Sequence, residues 1–420
     1  MILQAPPLSP RQTITVVLAG GRGKRLEGLT ERFSKPGLDF GGQFKIIDFT
    51  LSNCVNSGFR RVMVLTQYNA HRLLEHLQLG WSFLSGRLNE FVHAYPAEQR
   101  PGVESWYQGT ADAVFQNLQN IMAHSPRNVL VLAGDHVYLM DYKPFLQDHL
   151  AREADLTITC TEVPRAEAKN YGVVQVDEQD RIVGFVEKPE DPPCIPGKPD
   201  RALASMGIYF FNAGFLYDQL KRDARELGSS HDFGRDLIPY VVAKGARVMA
   251  HRFERSCVQS SPGIPYWRDV GTLDSFWDAN MDLTCPRPPM DIYDDAWPVL
   301  THMEQLPPTK FIRSELETSA TNHESVVGIG CVLEGARILG SLLSNRVQIH
   351  PHSRVEESVV LPDVDIGEGS RLRRAILARG CRIPRGLVVG EDPDEDARRF
   401  HVTPVGITLI TPKLLQRNLG

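Results

Sequence analysis

Between residues 13 and 285, short β-branched and apolar runs alternate with amphipathic stretches at helical spacing. The runs 14–18, 61–66, 129–132 and 156–160 predict strands. Residues 68–79, with Leu73, Leu74 and Leu77 on one side, predict a helix. Glycine, polar or acidic residues follow each of the first three runs, the alternation of an open, mostly parallel α/β sheet. Ligands gather beyond the carboxyl ends of the strands in such sheets, so the residues just after each run are the first to inspect. YGVVQVDEQDRIVGFVEKP (171–189) reads as a β-hairpin: Val174 and Val176 alternate, 177–180 turn, and Ile182 and Phe185 resume. A further strand is expected over 205–211.

The pattern changes after 285. PRPPM and LPPTK flank DIYDDAWP over 286–322, an ordered linker in which Trp297, Tyr293 and Phe311 are expected to be buried. Then apolar positions recur at steps of 6, 6 and 5: Val326, Val332, Ile338, Leu343, Ile349, Val355, Val360, Ile366, Leu372, Leu377, Ile383 and Val389. Neither an α-helix nor an ordinary strand gives this spacing. A hexapeptide β-helix does, with three short faces per coil and one apolar residue per face pointing inward. Gly328, Gly330, Asn345, Pro362, Gly367 and Gly380 suit its corners, and the tail adds a strand and a helix.

At 420 residues the chain exceeds what one core usually serves. The division expected is a domain at 13–285, the linker at 286–322, and a β-helix with its tail at 323–420. A net charge of −5 from 46 basic and 51 acidic residues speaks against a general nucleic-acid binder. There is no run of about 18 apolar residues to span a membrane, and MILQAPPLSPRQ lacks the basic-then-apolar order of a secretory leader. The seven cysteines are scattered, without CxxC, which fits reduced thiols in the cytoplasm and no zinc site.

The chemistry concentrates after strands. In LAGGRGKRLEGLT, Gly20, Gly21 and Gly23 either make a structural turn or let backbone N–H groups approach an oxyanion, to which Arg22, Lys24 and Arg25 can add charge-assisted bonds. The stretch is neither a P-loop nor GxGxxG. In LAGDHVY, Asp135 either holds a divalent cation or caps a helix. In YWRDVGTLDSFWDAN, Asp269 either joins it or stabilises the turn. Two acids from distant segments can hold a Mg²⁺ that bridges phosphates. Lys188 can take a sugar phosphate or stand solvated at a strand end. Ser205, Tyr209, Asp232 and Phe233 either contact a sugar or serve a strand and a helix start.

Taken in order, LAGGRGKRL…SKP, GGQFKIIDFTLSN, WYQGTADAV, LAGDHVY, GVVQVDE…FVEKP, ASMGIYFF, SSHDFGRDLIP and YWRDVGT, followed by hexapeptides, resemble the bacterial glucose-1-phosphate adenylyltransferase family. LAGGRG and LAGD alone indicate only the wider sugar-nucleotide pyrophosphorylases, whereas GTADAV, SSHDFG and WRDVGT narrow the likeness to this branch. The resemblance implies an α/β fold: a Rossmann-like, mixed-sheet nucleotidyltransferase domain followed by a left-handed parallel β-helix, assembled as a homotetramer. The reaction implied converts ATP and α-D-glucose 1-phosphate to ADP-glucose and pyrophosphate, the committed step of bacterial glycogen biosynthesis.

Carried over position by position, it implies that Leu18, Ala19, Gly20, Gly21, Gly23, Arg25, Gln99, Gly109, Thr110 and Gly134 bind ATP. Arg25, Lys35 and Asp135 would be catalytic, and Asp135 and Asp269 would hold Mg²⁺. Tyr107, Gly172, Glu187, Lys188, Ser205, Tyr209, Asp232 and Trp267 would surround glucose 1-phosphate. Lys24 stands where the family has a small hydroxyl residue. RFSKPGL replaces KRAKPAV, so Arg32 stands at an activator-binding lysine and Phe33 at a basic residue. The resemblance implies an allosteric effector, here an anionic metabolite of open identity, with Arg32, Arg373, Arg374, Arg398 and Arg399 as its candidate ligands; the two arginine pairs can equally be a solvated basic face. A UDP- or dTDP-glucose pyrophosphorylase and a catalytically weak regulatory subunit are the alternatives. The latter would usually lack one of Asp135, Asp269, Arg25, Lys35 or Lys188, all of which are present.

Overall fold

The computed structural model describes residues 10–98, 106–258, 265–313 and 321–419. Its main sheet uses nine strands: β1 (Thr13–Ala19), β2 (Arg61–Thr66), β3 (Phe91–Pro96), β4 (Asn128–Ala133), β5 (Leu156–Pro164), β6 (Gly172–Val176), β7 (Ile182–Glu187), β8 (Arg201–Asn212) and β9 (Val248–Arg252). The order is β7-β6-β8-β4-β1-β2-β3, with β5 pairing β8 and β9. β4, β1, β2 and β3 are parallel, and β8 runs antiparallel to β4, β5 and β6. The sheet is therefore mixed.

β1 is buried almost throughout because helices cover both faces of the sheet, so its residues read as a continuous apolar run. The helix expected at 68–79 forms over His71–Gly80, with Leu73 and Leu77 buried. The hairpin forms as β6 and β7 around a turn at 177–181. The strand expected at 205–211 is longer and carries a bulge, since its register against β5 shifts between Ser205 and Tyr209, with Gly207 at φ +68°.

The parallel β-helix is built of three ladders of short strands. Ile349, Ile366 and Ile383 stack in one column, Ile338, Val355, Leu372 and Val389 in a second, and Leu343, Val360 and Leu377 in a third. The expected phase slips in the first coil. Val332 pairs with Gln348 and is 37% exposed, while its neighbour Leu333 pairs with Ile349 and is buried. Likewise Val327, not Val326, pairs with Leu343. Two adjacent apolar residues leave a period-2 strand free to choose either one, and a single step exchanges its faces.

The segment 286–322 also departs from expectation. Tyr293 is 71% exposed and Phe311 51% exposed. Only Trp297 is half-buried, its indole N–H donating to Asn53 Oδ1 at 3.0 Å. Phe311 belongs to Lys310–Ile312, which already pairs with Val332–Glu334, so the ladders begin inside the stretch read as linker.

The two domains share one core. Leu342, Val359 and Ile376 alternate with the inward column yet are fully buried, together with Leu26, Phe40, Phe49 and Phe276 of the sheet domain. That face of the β-helix is covered, which is why its strands read as doubly apolar. An ion-pair chain borders the joint: Arg379 binds Asp39 in two-pronged fashion at 3.0 and 3.1 Å and Asp363 at 2.6 Å, and Asp363 in turn binds Arg346. The tail folds as Pro393–Arg399, a strand pair and Pro412–Leu419.

Candidate active site

A cavity of about 500 Å³ opens at the carboxyl ends of β1, β2 and β4, where Leu18 and Gly20, Leu65 and Gln67, and Ala133 and Asp135 lie side by side. Parallel strands deliver this arrangement because each chain must leave the sheet at that edge. After β1, the Gly20–Gly23 turn leads into a short 3₁₀ stretch, Lys24–Thr30. Gly20 and Gly21 line the cavity. Gly23 does not: at φ +60° it makes the turn itself, and a Cβ there would meet Thr30 and Lys35 at 3.0–3.1 Å.

The most concentrated charge sits on the cavity floor. Lys35 Nζ lies 2.7 Å from Asp269 Oδ1 and 3.0 Å from Asp135 Oδ2, and its side chain is 6% exposed. The two acids arrive from 134 residues apart because His136–Tyr138 and Trp267–Asp269 pair as an antiparallel ribbon. Burial by itself would lower the Lys35 pKa, but Asp135 and Asp269 outweigh it and the ammonium is held charged. Burial by itself would raise both acids. Lys35 and then His136 reverse that, taking Asp269 down to about 2 and Asp135 below its usual range. Arg25 Nη2 stands 3.8 Å from Asp269 Oδ2. The floor is thus an ionised acid pair around a buried ammonium, with a half-exposed guanidinium beside it.

The opposite wall comes from the hairpin and β8. Glu187 binds Lys188 Nζ at 2.8 Å, and its carboxylate fits only because Gly172 and Gly234 lack Cβ atoms, which would approach its Oε2 to 2.9 and 2.6 Å. The bulge at Gly207 turns Ser205, Met206 and Gly207 toward the cavity, a common use of bulges beside sites. Tyr209 lines the wall with its phenol pKa raised by burial. Trp267 packs edge-on against His136, ring centroids 5.3 Å apart. Trp267 Nε1 and His136 Nδ1 are buried without a hydrogen-bond partner.

The cavity brings together Leu18, Gly20, Gly21, Arg25, Lys35, Tyr107, Gly109, Thr110, Asp135, Gly172, Glu187, Lys188, Ser205, Tyr209, Asp232, Trp267 and Asp269. Ala19, Gly23 and Gly134 lie behind it as turn and packing residues; a Cβ on Gly134 would come within 2.9 Å of Val17. Gln99 lies outside the described residues. Asp232 lines the cavity, but Oδ1 accepts from the N–H groups of Gly234 and Arg235, and Oδ2 from Thr110.

The arginine candidates lie apart from the cavity. Arg32 and Arg398 are exposed. Arg373 and Arg374 share Glu357, and Arg374 also stacks over Trp277. Arg399 pairs with Glu395 and Asp396.

Sequence reasoning missed Gln67, His136, Asn170 and Tyr171, all of which line the cavity. Gln67 was findable, since it is the first residue past β2. His136 follows the singled-out Asp135 but carries no spacing signal. Among the described residues, no group of three or more His, Cys, Asp or Glu forms a metal cage.

Two family models match the chain: "Nucleotidyl transferase" over residues 14–285, and "GlmU-like, C-terminal hexapeptide" over 307–410. A protein named glucose-1-phosphate adenylyltransferase from Rhodospirillum rubrum is 55% identical over 406 residues, spanning 96% of this chain and 96% of its own. Proteins of the same name from Nitrosomonas europaea and Dechloromonas aromatica are 54% and 53% identical, spanning 97% and 96% of this chain and 94% and 92% of their own. The chain belongs to the glucose-1-phosphate adenylyltransferase family. Membership of that family accounts for the joining of a mixed-sheet nucleotidyltransferase domain to a hexapeptide β-helix. Among the described residues, no helix is long and apolar enough to cross a membrane.

Proposed function

We propose that this chain transfers the adenylyl group of ATP to α-D-glucose 1-phosphate, giving ADP-glucose and pyrophosphate. The observation that carries the proposal is the buried Lys35 shared by Asp135 and Asp269 at the end of a cavity rimmed by Gly20, Gly21 and Arg25. The names of relatives matched over nearly the whole chain support it.

In this reading an oxygen of the sugar phosphate attacks the α-phosphorus in line. The bond from that phosphorus to the bridging oxygen breaks, and pyrophosphate leaves with the electron pair. The attacking phosphate is already a dianion, so no proton has to be removed and no covalent enzyme intermediate is needed. What the chain supplies is position and positive charge. Arg25 and Lys35 neutralise the triphosphate, Lys188 holds the sugar phosphate, and Glu187, Ser205 and Tyr209 take sugar hydroxyls. The backbone of Gly20 and Gly21 lies along the phosphates, with Leu18, Gln67 and Gly109 around the nucleoside.

Two ionised hard-oxygen donors fit Mg²⁺, which commonly binds through one or two carboxylates plus substrate phosphates and needs no complete protein cage. Asp135 and Asp269 would hold it, and when bound it supplies charge neutralisation to the phosphates. The same reading makes the enzyme a cytoplasmic homotetramer of bacterial glycogen biosynthesis, regulated by an anionic metabolite, with Arg32, Arg373 and Arg398 the exposed candidates among the arginines.

The test is pyrophosphate release with glucose 1-phosphate and Mg²⁺, comparing ATP with UTP and dTTP. A strong ATP preference is expected. Preference for another nucleotide would move the assignment to a different sugar-nucleotide pyrophosphorylase, and no turnover with any nucleotide would make the chain a regulatory subunit.

A further inference from the structure

Beyond the sheet itself, the two walls of the cavity meet where residues 109–112 touch residues 230–233. The contact is unusually close. A Cβ on Gly109 would lie 2.3 Å from the carbonyl oxygen of His231, so a side chain at this position would force the segments apart. That carbonyl accepts from the N–H groups of Ala111 (2.9 Å) and Asp112 (3.1 Å), two of the otherwise unpaired donors at the start of the Thr110–Gln116 helix. Thr110 closes the contact from the other side. Its hydroxyl donates to Asp232 Oδ2 at 2.9 Å and accepts from the Phe233 N–H at 3.0 Å.

His231 holds this geometry at φ +54°, a left-handed conformation that non-glycine residues seldom adopt without compensation. The compensation is visible. His231 Nδ1 lies 2.9 Å from Oδ2 of Asp223, and the ring N–H donates to that carboxylate oxygen. Asp223, at the end of the Ala213–Asp223 helix, is 2% exposed. Its other oxygen accepts from Ser229 Oγ, which itself accepts from the His231 N–H. The side chain, the amide and the carbonyl of His231 are therefore all engaged, and none of them faces the cavity. Asp232 is engaged just as fully, with both carboxylate oxygens bound to protein donors.

We propose that His231, anchored by Asp223 and Ser229, is a positioning residue for the transfer reaction. It clamps the turn carrying Asp232, Phe233 and Gly234 onto Gly109 and Thr110, so that the nucleotide wall and the sugar-phosphate wall are presented as one rigid piece. Asp232 then acts as part of the clamp. Reaction between two bound substrates depends on their mutual placement, so loosening the joint between their walls weakens capture of both and turnover together.

The inference rests on the proposed function, and steady-state kinetics with the full chain, ATP, glucose 1-phosphate and Mg²⁺ separate the two. If the wild-type protein makes no ADP-glucose, the functional reading fails; the clamp is judged only against an active wild type. His231→Leu keeps bulk but removes the donor. It is expected to raise KM for glucose 1-phosphate and for ATP about tenfold each and to lower kcat. His231→Asn tolerates the left-handed backbone and places an amide N–H near the Nδ1 position, so it should restore both KM values to within about twofold of wild type. Leu216→Ala, a buried change in the same helix as Asp223, is the stability reference and should lower Tm without moving either KM. If His231→Leu does not fold, Ser229→Ala in the half-buried loop removes two links of the anchor and should raise both KM values about threefold. The proposal is overturned if the folded leucine variant, or in its place Ser229→Ala, has wild-type KM values. It is equally overturned if His231→Asn is as impaired as His231→Leu, or if Leu216→Ala shifts KM as much as they do.

Discussion

Around Gly207 the main sheet interrupts its own ladder, and the register against β5 shifts to turn three residues into the cavity. Around Ile349 the β-helix only repeats, with Leu333, Ile349, Ile366 and Ile383 falling in one column. The same contrast holds for charge. On the β-helix, Arg346 meets Asp363 and Arg385 meets Glu368, each pair one coil apart, so cations and anions neutralise each other along the stack. In the cavity, one buried ammonium serves two carboxylates, and Arg25 stands half-solvated nearby. Regular repetition sets these opposite charges one coil apart, each answering the other at the surface. Irregular backbone at a strand edge concentrates groups whose partners can be exchanged, which is what a site requires.

The strongest way to break this comparison is to remove charge from each region in turn. Asp135→Ala should lower kcat by about a thousandfold while the protein stays folded by circular dichroism; Arg385→Ala on the β-helix should change kcat less than about twofold. A loss of only a few-fold at Asp135 would remove it from the chemistry. Next comes packing. Leu372→Ala empties a fully enclosed position in the inward column and should cost about 3 kcal/mol in denaturant unfolding, with KM for both substrates unchanged. A shifted KM would mean that the β-helix takes part in substrate binding.

The smallest effect probes the joint between the regions. Burial would raise the Asp39 pKa, but Lys45 and Arg379 take it down to about 2. A depressed carboxylate contributes stability that is fully present above its unfolded value near 3.8 and is lost as pH falls toward 2. Asp39→Asn should therefore remove about 2 kcal/mol at pH 7 and flatten the acid limb of stability between pH 4 and 2. An unchanged acid limb would show that the pair contributes nothing to docking.

The repeat was legible because a 17-residue coil imposes its spacing on twelve positions, and only where two apolar neighbours stood together, at Val326-Val327 and Val332-Leu333, was the inward member ambiguous. The strands at 61–66 and 156–160 were legible as short apolar and β-branched runs, because both of their faces are buried in the sheet. Aromatic content was a poorer guide. Tyr293 and Phe311 read as buried because exposing them costs hydration free energy, yet both are exposed.

By itself, then, the sequence determined the elements, the two kinds of architecture and the segments that carry chemistry, because propensity, periodicity and turn residues act over a few neighbours. Tertiary structure alone decided that Lys35 lies between residues 135 and 269, that Asp232 faces Thr110 rather than standing free, and that Gly23 turns the chain while Gly20 and Gly21 line the cavity. Those facts depend on strand order, on the ribbon that pairs His136–Tyr138 with Trp267–Asp269, and on a bulge, all of them contacts between residues far apart in the chain. Burial and charge neutralisation at such contacts are properties of the assembled neighbourhood, and no local pattern encodes them.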